Sequence, residues 1–571
     1  MMSDENRFTV ELYSRVLLVL PRITIKHSED KQPMSKKKAR QNDAREIEKT
    51  IQTEKLGEEI SEQTWLTASL IIVAVGAFLR CYQLALKPFH HDEGVNGFFM
   101  LRLVREGVYQ YDPANYHGPT IYYFALLSSK IFGLNTIAMR LVPAFFGIAT
   151  IWLVLCLRRY IGSIGALSAA GLVALSPGAV YLSRYFIHES QFVFFTLGIV
   201  VAALFYYESG QLIHLILGAI SAALLFATKE TAFISVGVIL IAWGCAYVYM
   251  NIAKNGLPWD SKEETKERKR FIVETERADL WEHLGGKRNV LINVLIALSV
   301  FIFVYILFYT SFFTHKKGFW DSFEAFKIWS KTSSEAHTDN GTFAYVKWLA
   351  KEEMPLLILP VVGFLIALWK GRNRFALFAG AWAFGITSAY TLIKYKTPWL
   401  ALSFIIPLAI ISGYAINELK LTAKENVWRP LAWAVVLTAT ISCTVQTVSL
   451  NFFNYDKNDT YPYIYAHTTR EFLDFVNEFE KYAKKIGNED LNVAVVSKDY
   501  WPLPWYTRDY KGVGYFGDIV PIANSNIVIA SEEQQSVIEP KLEDRFVLIG
   551  KYPMRPGVVL LLYVRKDYAN Q

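Results

Sequence analysis

Charge is scarce in this sequence. Asp, Glu, Lys and Arg make up 19% of its 571 residues, where an ordinary soluble chain carries about a quarter. The four cysteines, Cys81, Cys156, Cys245 and Cys443, lie far apart in apolar runs. That excludes a disulfide framework and zinc-ligand spacing. No phosphate-binding P-loop, dinucleotide fingerprint or HExxH zinc motif is present. Charge is almost missing from the interiors of the long apolar runs: Arg80, Arg140 and His214 all fall near their ends. An ion-coupled transporter carries protons or ions on intramembrane carboxylates and histidines, so this lack argues against a charged translocation path. The net charge of +7 resides mostly in a polar N-terminal tail and in short loops, where membrane topology explains it. It is no nucleic-acid signature.

What is present is apolar. The chain is 53% hydrophobic and 15% aromatic, and this material is packed into runs of roughly 17 to 25 residues, the length of a membrane-crossing helix. Spans are expected at 65–84, 137–157, 161–182, 190–207, 211–227, 232–250, 289–312, 354–369, 374–393, 398–416 and 429–450. The apolar segment 120–133 is short and ends in Lys130-Ile131-Phe132-Gly133, so it is expected to lie at the interface. The predicted fold class is an α-helical polytopic membrane protein of about eleven spans with a C-terminal α/β domain. Three regions follow: a polar cytoplasmic tail (1–64), a transmembrane domain (65–450) with a first outer loop at 85–136 and a cytoplasmic loop at 251–288, and an extracytoplasmic domain (451–571). Short β-type runs such as LNVAVVS and SNIVIA interleave with a helical stretch in that last region. Placing the N-terminus inside puts the loops LRRYIG, YYESGQ, 251–288, LWKGRNR and NELKLTAKENVWR inside, four of these five being basic, and both acceptor sequons, at Asn340 and Asn458, outside.

With that topology the chemistry-bearing residues gather on the outer face. His90, His91, Asp92 and Glu93 follow the first span, and His117-Gly118-Pro119 comes next. Ser183 to Glu189 holds Arg184, His188 and Glu189; Lys229 sits in a tight turn; Lys394, Lys396 and Trp399 lie at another mouth. The C-terminal region adds Trp501, Trp505, Tyr506 and Arg508. A lipid-phosphate sugar donor needs cations for its phosphate and a carboxylate to take the acceptor's proton. Arg184, Lys229, Lys394 and Lys396 suit the first role, and Asp92 or Glu93 the second. His90, His91, His117, His188, Glu189 and Trp399 would support the site, and the aromatic run 500–510 offers faces for sugar or peptide stacking. Blander roles stand beside these. The acidic pair fits a helix N-terminus, the cations fit snorkelling span ends, KYKTPW fits a proline-initiated helix start, and the aromatic run fits packing at the membrane interface.

Asp92-Glu93 after the first span, His117-Gly118-Pro119, LSPGAVYLSRYFIHES (175–190) and LLFATKETAFI (224–234) resemble motifs of the GT-C superfamily, polytopic glycosyltransferases that use polyprenyl-phosphate sugars and include protein O-mannosyltransferases and aminoarabinose transferases. HHDEGVNGFF, YHGP, SRYFIHES, TKET, KYKTPW and YWPLPWYTRD together look like a prokaryotic, notably archaeal, flippase-activity-associated family linked to N-glycosylation. The resemblance implies Asp92 as the leading catalytic carboxylate with Glu93 beside it, and Arg184 and Lys229 as phosphate-side cations. It implies a polyprenyl-phosphate donor, membrane lipid, and a protein or glycan acceptor as partners, in a multi-pass cell-membrane protein. The narrower family also implies an alternative: a non-catalytic component that helps lipid-linked sugar cross or be presented. Some oligosaccharide-transferring members use a divalent metal and monosaccharide-transferring ones generally do not. Histidine-plus-carboxylate sets can bind metal, so a metal stays open and no other cofactor is indicated.

Overall fold

The computed structural model describes residues 60–115, 117–266, 280–332, 341–422, 428–457 and 460–569. The predicted tail up to residue 59, part of the loop at 251–288, and the sequon asparagines Asn340 and Asn458 lie outside the described residues.

Every expected span falls on a helix. In chain order these are α1 (Glu62–Cys81), then α2 (His91–Glu106) and α3 (Thr120–Phe132) in the first loop, α4 (Thr136–Leu155), α5 (Ser163–Leu175), α6 (Pro177–Ser183), α7 (Glu189–Ser209), α8 (Leu212–Phe226) and α9 (Ala232–Ala253). There follow α10 (Lys287–Tyr309), α11 (Gly318–Thr332), α12 (Ala344–Glu352), α13 (Met354–Lys370), α14 (Arg374–Leu392), α15 (Leu402–Thr422) and α16 (Trp428–Val448). Among the described residues eight helices are long and apolar enough to cross a membrane. Two helix pairs are long and apolar enough only when taken together, and each is bent: α5 and α6 meet at 58°, and α12 and α13 at 108°, which brings the total to ten if each pair is one span. The first break sits at Ser176-Pro177. Proline opens α6, and the Ser176 hydroxyl caps the Ala179 N–H. At 15 residues, α8 is a shorter apolar helix.

Contacts at the two ends of the bundle fix the course of the chain. Arg158, just after α4, pairs with Glu62 at the start of α1 at 2.8 Å. Arg159 pairs with Glu208, and the Asn373 side chain donates to the Tyr160 carbonyl. The start of α1 and the end of α4 therefore share one end of the bundle. The chain crosses an even number of times between them, and α1 and α4 supply both crossings. The 13-residue α3 is about 20 Å long at 1.5 Å per residue, short of a hydrocarbon core of about 30 Å. It caps the bundle rather than crossing it. At the opposite end lie α2, α3, the 184–188 loop, the 227–231 turn and the C-terminal domain.

That domain holds a helix, α17 (Phe472–Ile486), and five strands: β1 (Val493–Val495), β2 (Val513–Tyr515), β3 (Ile527–Ser531), β4 (Phe546–Arg555) and β5 (Val558–Arg565). They form one sheet in the order β2-β1-β3-β5-β4. The first three strands run parallel; β5 is antiparallel to β3 and β4. Alternate residues of β3 serve two cores: Ile527 and Ile529 pack with α17, and Val528 and Ala530 pack on the other face. A strand covered on both faces reads as the continuous apolar run seen in the sequence.

Candidate active site

Helix α2 begins with the acidic pair, and its cap divides the two carboxylates. His90 is the N-cap: its Nδ1 accepts the Asp92 N–H at 3.1 Å, and Glu93 reaches back to accept the His90 N–H at 3.0 Å. Glu93 is fully buried and bound twice by Arg140 of α4, at 2.7 and 2.6 Å, while the Phe186 N–H donates to it at 2.8 Å. Arg140 spends its other donors on the carbonyls of Leu84, Lys87 and Pro88. Both Glu93 oxygens are thus committed, and this carboxylate clasps the loop after α1 to α4 and to residue 186. Glu93, expected beside Asp92 as a catalytic acid, thus has all four of its acceptor positions engaged within the protein.

Asp92 is different. Its side chain is 36% exposed, open on one side and ringed by protein on the others. Burial pushes its carboxyl up to about 6; His117 and Lys229 pull against this, and Glu189 and Glu93 add to it. Those neighbours form a connected cluster. His117 donates from Nδ1 to Glu230 at 2.9 Å, and its ring lies 4.9 Å from that of His188. Lys229 pairs with Glu189 at 2.6 Å, both buried. Burial works against the Lys229 ammonium, but the Glu189 and Glu230 carboxylates overrule it and hold it above the usual lysine range. Burial keeps His188 neutral, well below its ordinary pKa, and its Nε2–H donates to the Gly118 carbonyl.

Two motifs distant in sequence meet here as backbone. The Gly118 N–H donates to the Thr228 carbonyl at 3.1 Å, Thr120 N–H to the Ala227 carbonyl, and the Thr120 and Thr228 hydroxyls are 2.8 Å apart. A Cβ on Gly118 would stand 2.0 Å from the Ala227 oxygen, so the approach requires glycine.

The expected phosphate-side cations are mostly engaged elsewhere. Arg184 donates to the carbonyls of Leu79, Tyr82 and Gln83 at 2.6–2.9 Å and lies over the Phe452 ring. It caps the C-terminus of α1. Lys396 does the same for α14, donating to Tyr390, Thr391 and Ile393. Lys394 is exposed at the rim. Of the four expected phosphate-side cations, Arg184 and Lys396 thus donate to helix-end carbonyls, and Lys229 is the one that acts on the Asp92 carboxyl. Trp399 is partly buried with its ring edge toward His90.

The aromatic run 500–510 docks the C-terminal domain onto α2. Trp505, 1% exposed, stacks on Phe89 at 4.7 Å, with the Arg508 guanidinium 4.6 Å from its ring, and its Nε1–H donates to Thr136. The Tyr506 hydroxyl accepts the Phe89 N–H. Trp501 meets the edges of His91 and Phe98. Arg555 of β4, paired with Asp499, donates to His91 Nδ1 at 3.2 Å, and burial with Arg555 beside it pushes that imidazole down to about 4. Trp505, Tyr506 and Arg508, expected to stack on sugar or acceptor, thus take part in the domain contact. Among the described residues no three His, Cys, Asp or Glu side chains stand close enough to hold a metal ion.

Residues 114–315 match the family model of dolichyl-phosphate-mannose-protein mannosyltransferase (PMT). No curated protein matches by sequence. Among solved structures, ArnT from Cupriavidus metallidurans bound to undecaprenyl phosphate superimposes with a TM-score of 0.54 at 15% identity, over 88% of this chain and 98% of that one. The Archaeoglobus fulgidus oligosaccharyltransferase in complex with Zn and sulfate does so with a TM-score of 0.51 at 13% identity, over 86% and 73%. The family match is confined to residues 114–315, and the fold is of the GT-C type. That segment holds His117, Arg140, His188, Glu189, Lys229 and Glu230, while Asp92 precedes it.

Within this GT-C frame, sequence reasoning passed over Arg140, Glu230 and Lys87. Arg140 had a usable signal: an ionisable residue in an apolar span is costly and retained for a reason. Arg80 had the same signal. It is fully buried and donates to the Val173 and Ala174 carbonyls at the end of α5.

Proposed function

We propose that this chain is a membrane glycosyltransferase, moving a sugar from a polyprenyl-phosphate donor to a protein or glycan acceptor at the end of the bundle that bears Asp92, and that this end faces outward. The reading rests on the division of the acidic pair: Glu93 is consumed as a clasp, and Asp92 is left free beside His117, Glu189 and Lys229. ArnT, similar in fold, was crystallised with undecaprenyl phosphate, which supports a lipid-phosphate donor. In the step envisaged, the acceptor oxygen bonds to the anomeric carbon as the carbon–oxygen bond to phosphate breaks. The bonding pair stays on the phosphate, the acceptor proton passes to Asp92, and Lys229 faces the growing negative charge.

The test is transfer by the full chain in nanodiscs, with polyprenyl-phosphate sugars as donors. Asp92→Asn should lose at least ~100-fold in turnover, the usual scale for a general base, with monodispersity and melting retained. Unchanged transfer in that variant sinks the assignment. If deletion in the host stops glycosylation while Asp92→Asn is silent, the chain is a non-catalytic partner in translocation.

A further inference from the structure

The buried cations on this half of the molecule form a series in which one member stands apart. Arg140, Arg184, Lys229 and Lys396 each donate to carboxylates or helix-end carbonyls, and Arg80 binds three carbonyls. Lys87 does not. It is 5% exposed, and its ammonium has no hydrogen-bond acceptor among the described residues. It points at aromatic rings instead, 3.8 Å from the centroid of Tyr181 and 5.2 Å from that of Tyr185. Cation–π attraction offsets part of the loss of water but satisfies none of the three N–H donors.

The buried groups around it are unmet or neutral. The Tyr185 hydroxyl is also buried without a partner. The His90 and His467 rings, 4.5 Å apart, pack on Tyr185 at 5.0 and 5.3 Å, and burial keeps both imidazoles neutral. The carboxylate facing Lys87 is Glu93, already committed to Arg140, and burial with Arg140 nearby holds the ammonium well below the usual lysine range, a state that an arriving anion reverses. Tyr185 is the link to Asp92: the His90 ring packs on it at 5.0 Å, and His90 Nδ1 lies 3.9 Å from the Asp92 carboxylate.

We infer that Lys87, with the Tyr185 hydroxyl, is the anchor for a phosphate group, and that this pair of unmet donors rather than Arg184 or Lys396 receives the phosphate of the donor or of the released lipid phosphate. The inference rests on the glycosyltransferase reading for its substrate and on the unmet donors for its place. A phosphate offers the oxygens that Lys87 and Tyr185 lack, and the Tyr185 hydroxyl sets that phosphate beside Asp92.

The test measures binding to the full chain in phosphatidylcholine nanodiscs, with polyprenyl phosphate, inorganic phosphate and uncharged polyprenol as probes. Wild type should bind polyprenyl phosphate at least ten-fold tighter than polyprenol. Lys87→Met should erase that margin, and Lys87→Arg should keep most of it. Inorganic phosphate that binds alone, and only with Lys87 present, would assign the pair to the free anion as well as to the lipid-borne one. Should Lys87→Met fail to fold, Tyr185→Phe decides: a three-fold or greater weakening supports the anchor, and unchanged binding overturns it. Lys87→Met that folds and binds polyprenyl phosphate like wild type also overturns it, with the proposed function intact if wild type transfers sugar. A wild type that neither binds polyprenyl phosphate nor transfers sugar overturns the function itself.

Discussion

Because burial raises the Asp92 carboxyl from 3.8 to about 6, its base form is present above that pH and lost below it. The transfer rate should therefore fall on the acid side with a midpoint near pH 6, measured as kcat/KM against pH, and Asp92→Glu should move that limb. Stability runs the opposite way to activity. Protonated Asp92 favours the folded state, an advantage complete below 3.8 and lost as pH rises through 6. Asp92→Asn should then melt no lower than wild type at pH 7 while being inactive. Glu93→Gln has the opposite profile. It leaves Arg140 as an uncompensated buried cation, a loss of about 3–5 kcal/mol, read as a lower melting temperature and poor yield. The sequence marks the two acids as a pair. It does not divide them, because the division depends on which one the first turn of α2 turns toward Arg140, 47 positions away.

At the scale of elements, the meeting of His117-Gly118-Pro119 with the Thr228–Thr231 turn is held by backbone bonds that only glycine permits. Gly118→Ala puts a methyl group on the Ala227 oxygen and should separate His117 from Glu230. Turnover should drop about ten-fold or more for ~1.4 kcal/mol of lost alignment, checked by kinetics alongside melting. Span positions were legible because a run of about 20 apolar residues has few other uses. The breaks between α5 and α6 and between α12 and α13 were less so. Both breaks carry a proline at the start of the following helix, Pro177 and Pro355, but the second also has a buried carboxylate at its corner: Glu353 accepts from Ser176 and from the Gly178 N–H, partners far away in sequence. Arg184 and Lys396 look alike in the sequence as cations at span ends, and the carbonyls they cap appear only once the chain is folded.

Across the whole molecule, the C-terminal domain is fastened to α2, the helix that begins with the catalytic candidate. Trp505→Ala removes a buried aromatic stacked on Phe89, a loss of about 3–5 kcal/mol in a packed core. It should loosen the domain, giving faster limited proteolysis near residue 460 and reduced turnover with the transmembrane helices intact. The two ends of the bundle also predict labelling. Cysteines introduced at exposed Lys394 and exposed Arg159 should react with an impermeant reagent from opposite sides of the membrane, Lys394→Cys from outside. The sequence by itself determined what local composition can encode: apolar runs of spanning length, an α/β tail, and a band of ionisable residues confined to alternate loops. Tertiary structure decided which of those residues are free. A buried charge must find partners, and the partners here are carbonyls and carboxylates brought together by helices that cross the bilayer many times, so the difference between a cap, a clasp and a catalytic group lies in contacts between segments and in no segment alone.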